Sequence, residues 1–100
     1  MTIYVIAQLT FKNRAAYDRY QAKFAQVFAR FDGRLLAADE KPAVAEGEWH
    51  GNKVVLMSFP DEPSYRKWAE SPGYQEISED RKMGAEAVVL LVRGLDGYRK

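Results

Sequence analysis

Residues 53–59 read Lys-Val-Val-Leu-Met-Ser-Phe, and residues 86–93 read Glu-Ala-Val-Val-Leu-Leu-Val-Arg. Both runs have strand length, and their β-branched and large apolar side chains suit a pleated, packed surface. A strand with one face in water alternates apolar and polar residues, because successive side chains point to opposite faces. Val54, Val55, Leu56 and Met57 break that alternation, and so do Val88 through Val92. The sheet these strands build needs cover on both faces.

Working outward, Gly51-Asn52 turns the chain into the first of these strands and Pro60 stops it. Asp61 opens a helix with Pro63 in its first turn, where the missing N–H costs little. Tyr65, Trp68 and Ala69 form its inner face. Ser71-Pro72-Gly73 breaks that helix and restarts it, with Tyr74 and Ile77 inward and an end near Gly84. Upstream, Ile3 to Thr10 reads as a strand. Asn13 caps a helix whose Tyr17, Tyr20, Phe24, Phe28 and Phe31 recur at spacings of three and four. Asp32-Gly33 is expected to end it, with Gly33 in the left-handed position. Residues 33–39 read as the second strand, residues 42–48 as a short extra edge strand, and residues 95–100 as a polar tail.

The order is β-α-β-(β)-β-α-β, which predicts one α+β domain over residues 1–100. The expected fold is a ferredoxin-like βαββαβ sandwich, an antiparallel sheet with two helices on one face. Two helices cover one face only. A second copy of the sheet is the simplest cover for the other, so an isologous homodimer through the sheet face is expected.

Composition narrows the function. Fifteen Lys and Arg stand against 14 Asp and Glu, without a block of like charge. Binding to nucleic acid through phosphate neutralisation is not expected. The third strand offers Val54 to Met57 where an RNA-binding sheet of this topology needs aromatic rings, so RNA binding is rejected as well. Zero cysteines exclude disulfides, thiolate metal sites and a cysteine nucleophile. The residues imply no cofactor and no metal. The longest apolar run, Ala87 to Val92, is far short of a membrane span. No charged segment followed by an apolar one opens the chain, so a cytoplasmic protein with no membrane partner is expected.

A family resemblance emerges from particular residues. They are Tyr4-Val5-Ile6-Ala7, Tyr17, Tyr20, Gly33-Arg34, Glu46-Gly47-Glu48-Trp49, Phe59-Pro60, Trp68, Ser71-Pro72-Gly73-Tyr74-Gln75 and Arg81. With these, the chain resembles the bacterial family called domain of unknown function 1330, within the dimeric α/β-barrel superfamily. Its relatives usually carry an Arg-Gly-Gly-like turn after the second strand, where this chain has Ala38-Asp39-Glu40. The resemblance implies a ferredoxin-like dimer and no particular activity.

Four residues are candidates for ligand binding: Tyr4, Gln8, Trp49 and His50. Tyr4 and Gln8 share a strand face with Ile6, placing polar groups on an apolar floor as ligand sites require. They either line a cavity or bond across the dimer. His50, the single histidine, is either a general base or an exposed loop residue. Trp49 flanks the same turn and is open to stacking, whereas Trp68 belongs to the core. Asp39, Glu40, Glu46 and Glu48 form an acidic patch whose spacing matches no cation loop. Two functions remain open. One is a small-molecule-binding module with its pocket between helices and sheet or inside the dimer barrel. The other is a cofactor-independent enzyme of monooxygenase or isomerase type acting on a small organic substrate. The cleft beneath Trp68 and Tyr74 is the next place to look for a pocket.

Overall fold

The computed structural model describes residues 1–97 of the chain. Its elements are β1 (Ile3–Phe11), α1 (Arg14–Phe28), β2 (Arg34–Asp39), β3 (Lys53–Phe59), α2 (Glu62–Ala69), α3 (Pro72–Gly84), β4 (Ala85–Arg93) and a 3-10 turn, Leu95–Gly97. The strands form one sheet in the order β2-β3-β1-β4, with every pair antiparallel. This is the ferredoxin-like α+β fold. Among the described residues, no helix is long and apolar enough to cross a membrane.

Side-chain chemistry sets the helix starts. Asn13 accepts the Ala16 N–H at 3.1 Å, Asp61 that of Ser64 at 2.8 Å, and Ser71 Oγ that of Tyr74 at 3.2 Å. The Ser71 hydroxyl also donates to the Trp68 carbonyl at 2.8 Å, so one side chain closes α2 and opens α3.

Three expectations are corrected. α1 ends at Phe28, capped by Ala29 in ordinary right-handed geometry, several residues before Gly33. Gly33 is not left-handed, since Gly47 is the one described residue with positive φ. Glycine is needed at position 33 for space, because a Cβ there would lie 2.5 Å from the Phe28 ring and 2.6 Å from that of Phe59. Residues 42–48 form no strand. β2 stops pairing at Asp39, whose carboxylate turns the chain by accepting the Lys41 N–H at 2.8 Å, and Pro42 has no N–H to offer a ladder. In the expected tail, Asp96 ties the 3-10 turn to β1 by accepting from the Thr2 amide and hydroxyl, each at 3.0 Å. The rest of that tail, residues 98–100, lies outside the described residues.

The pleat divides β1. Ile3, Val5, Ala7 and Leu9 are buried toward the helices, whereas Tyr4, Ile6, Gln8 and Thr10 point the other way. Pairing extends both faces across the sheet. The helix face carries Lys53, Val55, Met57 and Phe59 of β3, and Ala87, Val89 and Leu91 of β4. The opposite face carries Val54, Leu56, Ser58, Val88, Leu90 and Val92. No helix covers it, and Tyr4, Val88, Leu90 and Val92 are exposed there.

Candidate functional site

Two apolar clusters hold the helices to the sheet. Ile3, Val5, Met57 and Phe59 pack with Phe28 and Trp68, while Leu9 and Ala85 pack with Tyr17, Tyr20 and Ile77. Between the helices and the sheet lies a cavity of about 440 Å³. It exists because short side chains face large rings: Ala7, Ala38 and Ala87 line it from the strands, and Tyr20, Phe24, Trp68 and Tyr74 from the helices. The alanines cannot fill the height that the rings impose. Its volume falls within the range of roughly 300–1,000 Å³ typical of small-molecule pockets.

Trp68 is the best-fixed of these rings. Its centroid lies 4.3 Å from that of Tyr74, 5.4 Å from Phe28 and 5.7 Å from Phe59. The residue is buried, yet its indole N–H finds no acceptor among the described residues. A buried tryptophan N–H usually has a partner, and leaving one unmet costs about 1–3 kcal/mol. Beside it, the Tyr20 and Tyr74 hydroxyls share a hydrogen bond of 3.2 Å.

Lys53 is the buried cation of the site. Its ammonium donates to Gln21 Oε1 at 3.0 Å, lies 4.9 Å over the Tyr17 ring, and stands 3.7 Å from a Glu40 oxygen. Burial lowers the Lys53 pKa, and Glu40 opposes that shift. Arg14 grips Glu40 through two bonds of 2.9 Å, which holds the Glu40 carboxyl below the usual carboxylate range. The acidic patch is therefore divided in purpose: Asp39 shapes a turn and Glu40 serves two cations. Among the described residues, no three acidic or histidine side chains converge on a metal position.

Burial raises the phenol of Tyr17 to about 12 and also raises that of Tyr20. Below pH 10 both tyrosines are neutral in the folded and unfolded chain alike. Above it the unfolded chain ionises first, so stability falls between pH 10 and 12. A spectroscopic tyrosine titration is expected to show these two phenols ionising only well above pH 10; titration of either near pH 10 in the folded protein would refute its burial.

The four sequence candidates lie away from this cavity. The Asn52 side chain accepts the Phe11 N–H at 2.9 Å, and the Asn52 backbone N–H donates to the Leu9 carbonyl at 2.7 Å. These bonds pin the 49–52 loop to the end of β1. Gln8, Trp49 and His50 thereby come together along a shallow groove with Thr10 and Val88. Tyr4 does not join them; it lies further along β1, opposite Ser58 and Val92. The His50 side chain is 88% exposed, with Nε2 3.7 Å from a Glu48 oxygen. Trp68 is in the core as expected, and it also lines the cavity. Lys53, Gln21 and Arg81 were missed as site residues. One signal pointed to Lys53: it is in phase with Val55, Met57 and Phe59, a cation on the core face of its strand.

Comparison with known proteins agrees on the fold. A protein of unknown function from Rhodopseudomonas palustris, RPA0582, superposes with a TM-score of 0.79 at 16% identity, over 93% of this chain and 82% of the other. SnoaB from Streptomyces nogalater, described as a cofactor-independent oxygenase, gives 0.68 at 16% identity over 93% and 92%. A dimeric ferredoxin-like protein of unknown function from Jannaschia sp. CCS1 gives 0.72 at 15% identity over 94% and 100%. No curated protein matches the chain. The family match spans residues 2–95, almost the whole chain, and the protein belongs to the family described as "Domain of unknown function (DUF1330)".

Proposed function

We propose that the protein is a homodimeric small-molecule-binding module whose ligand occupies the cavity between helices and sheet. The observation that carries this reading is the apolar cavity itself, walled by the rigidly packed Trp68 ring and floored by alanines. The alanine floor leaves room for a flat apolar body against that ring. The helix-free sheet face is assigned to the dimer, and Tyr4 and Gln8 then serve the interface rather than the ligand. The protein of similar fold from Jannaschia, described as dimeric, supports a dimer.

A second reading is a cofactor-independent enzyme. The similarity of fold to SnoaB favours it, as does a buried amine, Lys53, in the cavity wall. Fold alone carries no mechanism. Steady consumption of dissolved oxygen with an added hydroxy-aromatic compound would separate an oxygenase from a binder.

Native mass spectrometry of the purified protein tests the first reading. We expect a retained small molecule, bound about tenfold more weakly by Trp68→Phe, which replaces the indole wall with a smaller ring. Retention unchanged by Trp68→Phe but lost in Gln8→Leu and His50→Ala would move the site to the groove beside Trp49.

A further inference from the structure

The charge around the cavity is one-sided. Among the residues lining it are three cations, Lys53, Arg81 and Lys82, and not one aspartate or glutamate. The chain as a whole is nearly balanced, 15 against 14, so this is a local imbalance. The three cations are not equivalent. Lys53 is already served by Gln21 and Glu40. Arg81 is half-buried, and no carboxylate among the described residues pairs with its guanidinium. Burial raises the pKa of Tyr17, Tyr20 and Tyr65, and the charge of Arg81 opposes that rise at all three.

Position adds to charge. Arg81 and Lys82 line both the cavity and the groove beside Trp49, so they stand at the mouth where the two meet. The interior offers rings and short aliphatic side chains. An elongated ligand with one anionic end fits that polarity: the apolar body enters and the charge stays at the rim. A guanidinium receives a carboxylate through two parallel N–H donors, a stronger and more directional pairing than a lysine offers.

We propose that the ligand is an aromatic carboxylate, its rings lying between Trp68 and Tyr74 on one side and the alanine floor on the other, its carboxylate paired with Arg81. This inference rests on the cavity reading above and narrows it to one ligand class. The test compares 2-naphthoate with the neutral 2-acetonaphthone at neutral pH by titration calorimetry. Parent protein is expected to bind the acid at least tenfold more tightly than the ketone. Arg81→Gln should weaken the acid at least tenfold and leave the ketone within about twofold. Arg81→Lys, which keeps the charge without the planar fork, should fall between them. If the ketone binds as tightly as the acid, or if Arg81→Gln keeps the preference, the anion assignment is overturned while the cavity reading stands. If neither compound binds, both fail. Should Arg81→Gln not fold, the parent's acid preference must shrink several-fold in high salt, and a preference indifferent to salt overturns the assignment.

Discussion

Leu90→Glu is expected to run as a monomer of 11.4 kDa in light scattering coupled to gel filtration, where the parent runs at twice that mass. The register explains the size of the effect. Leu90 pairs with Ile6, Ile6 with Leu56, and Leu56 with Ala37, which makes one apolar row across the helix-free face. Exposed Val88, Leu90 and Val92 continue it along β4. A standard dimer hides about 800 Å² per partner. An uncompensated buried charge costs about 3–5 kcal/mol, and two-fold symmetry would bury two of them. Val89→Glu, one residue away, should behave differently. Val89 pairs with Ala7 on the helix face and lines the cavity, so that variant should remain dimeric and lose ligand. A parent that is monomeric at micromolar concentration would contradict the assignment of this face.

Gly84→Ala should cause a large loss of stability for a single added methyl group. A Cβ at this buried position would lie 2.5 Å from the backbone nitrogen of Tyr17 and 2.8 Å from its Cα. Backbone cannot rotate away as a side chain can. The Gly84 carbonyl also receives the Lys12 and Asn13 N–H groups at 2.7 and 3.0 Å, so moving α3 breaks the link that starts α1. Overpacking of this kind costs about 1–3 kcal/mol or more. In a domain of this size that corresponds to a fall in Tm of roughly 4–24 °C. Gly73→Ala is the control, because its nearest contact would be Val27 at an ordinary 3.6 Å. Calorimetry should show Gly73→Ala near the parent and Gly84→Ala far below it. A Gly84→Ala midpoint within about 3 °C of the parent would refute the close packing of α1 on α3.

These residues also show what the sequence could and could not reveal. β3 was readable to the residue because Asn52 and Pro60 punctuate it on either side. The helix starts were readable because Asn13, Asp61 and Ser71 carry the capping oxygen themselves. The end of α1 was not, since its cap is an alanine with no side-chain signature and the aromatic spacing runs on to Phe31. Residues 42–48 alternate like a strand, but pairing is decided by a neighbour, and β2 had turned away. The site was legible in pieces. Tyr4 and Gln8 were correctly read as sharing one face with Ile6, and that face proved to be the helix-free one. The deep cavity lies behind it, made by alanines from three strands opposite rings from three helices. The cleft beneath Trp68 and Tyr74, the second place the sequence suggests for a pocket, is part of this cavity, but its size is a property of distances between elements.

The chain's two tryptophans allow a direct test, because Trp68 marks the cavity and Trp49 marks the neighbouring groove that shares Arg81 and Lys82 with it. Each contributes one indole N–H resonance to a nitrogen–proton correlation spectrum, assignable from Trp68→Phe and Trp49→Phe. On titration with 2-naphthoate, the Trp68 signal should shift strongly as the ligand's rings come to lie against the indole, while that of Trp49 moves much less. A Trp49 signal that moves while Trp68 remains still would contradict the cavity as the ligand site.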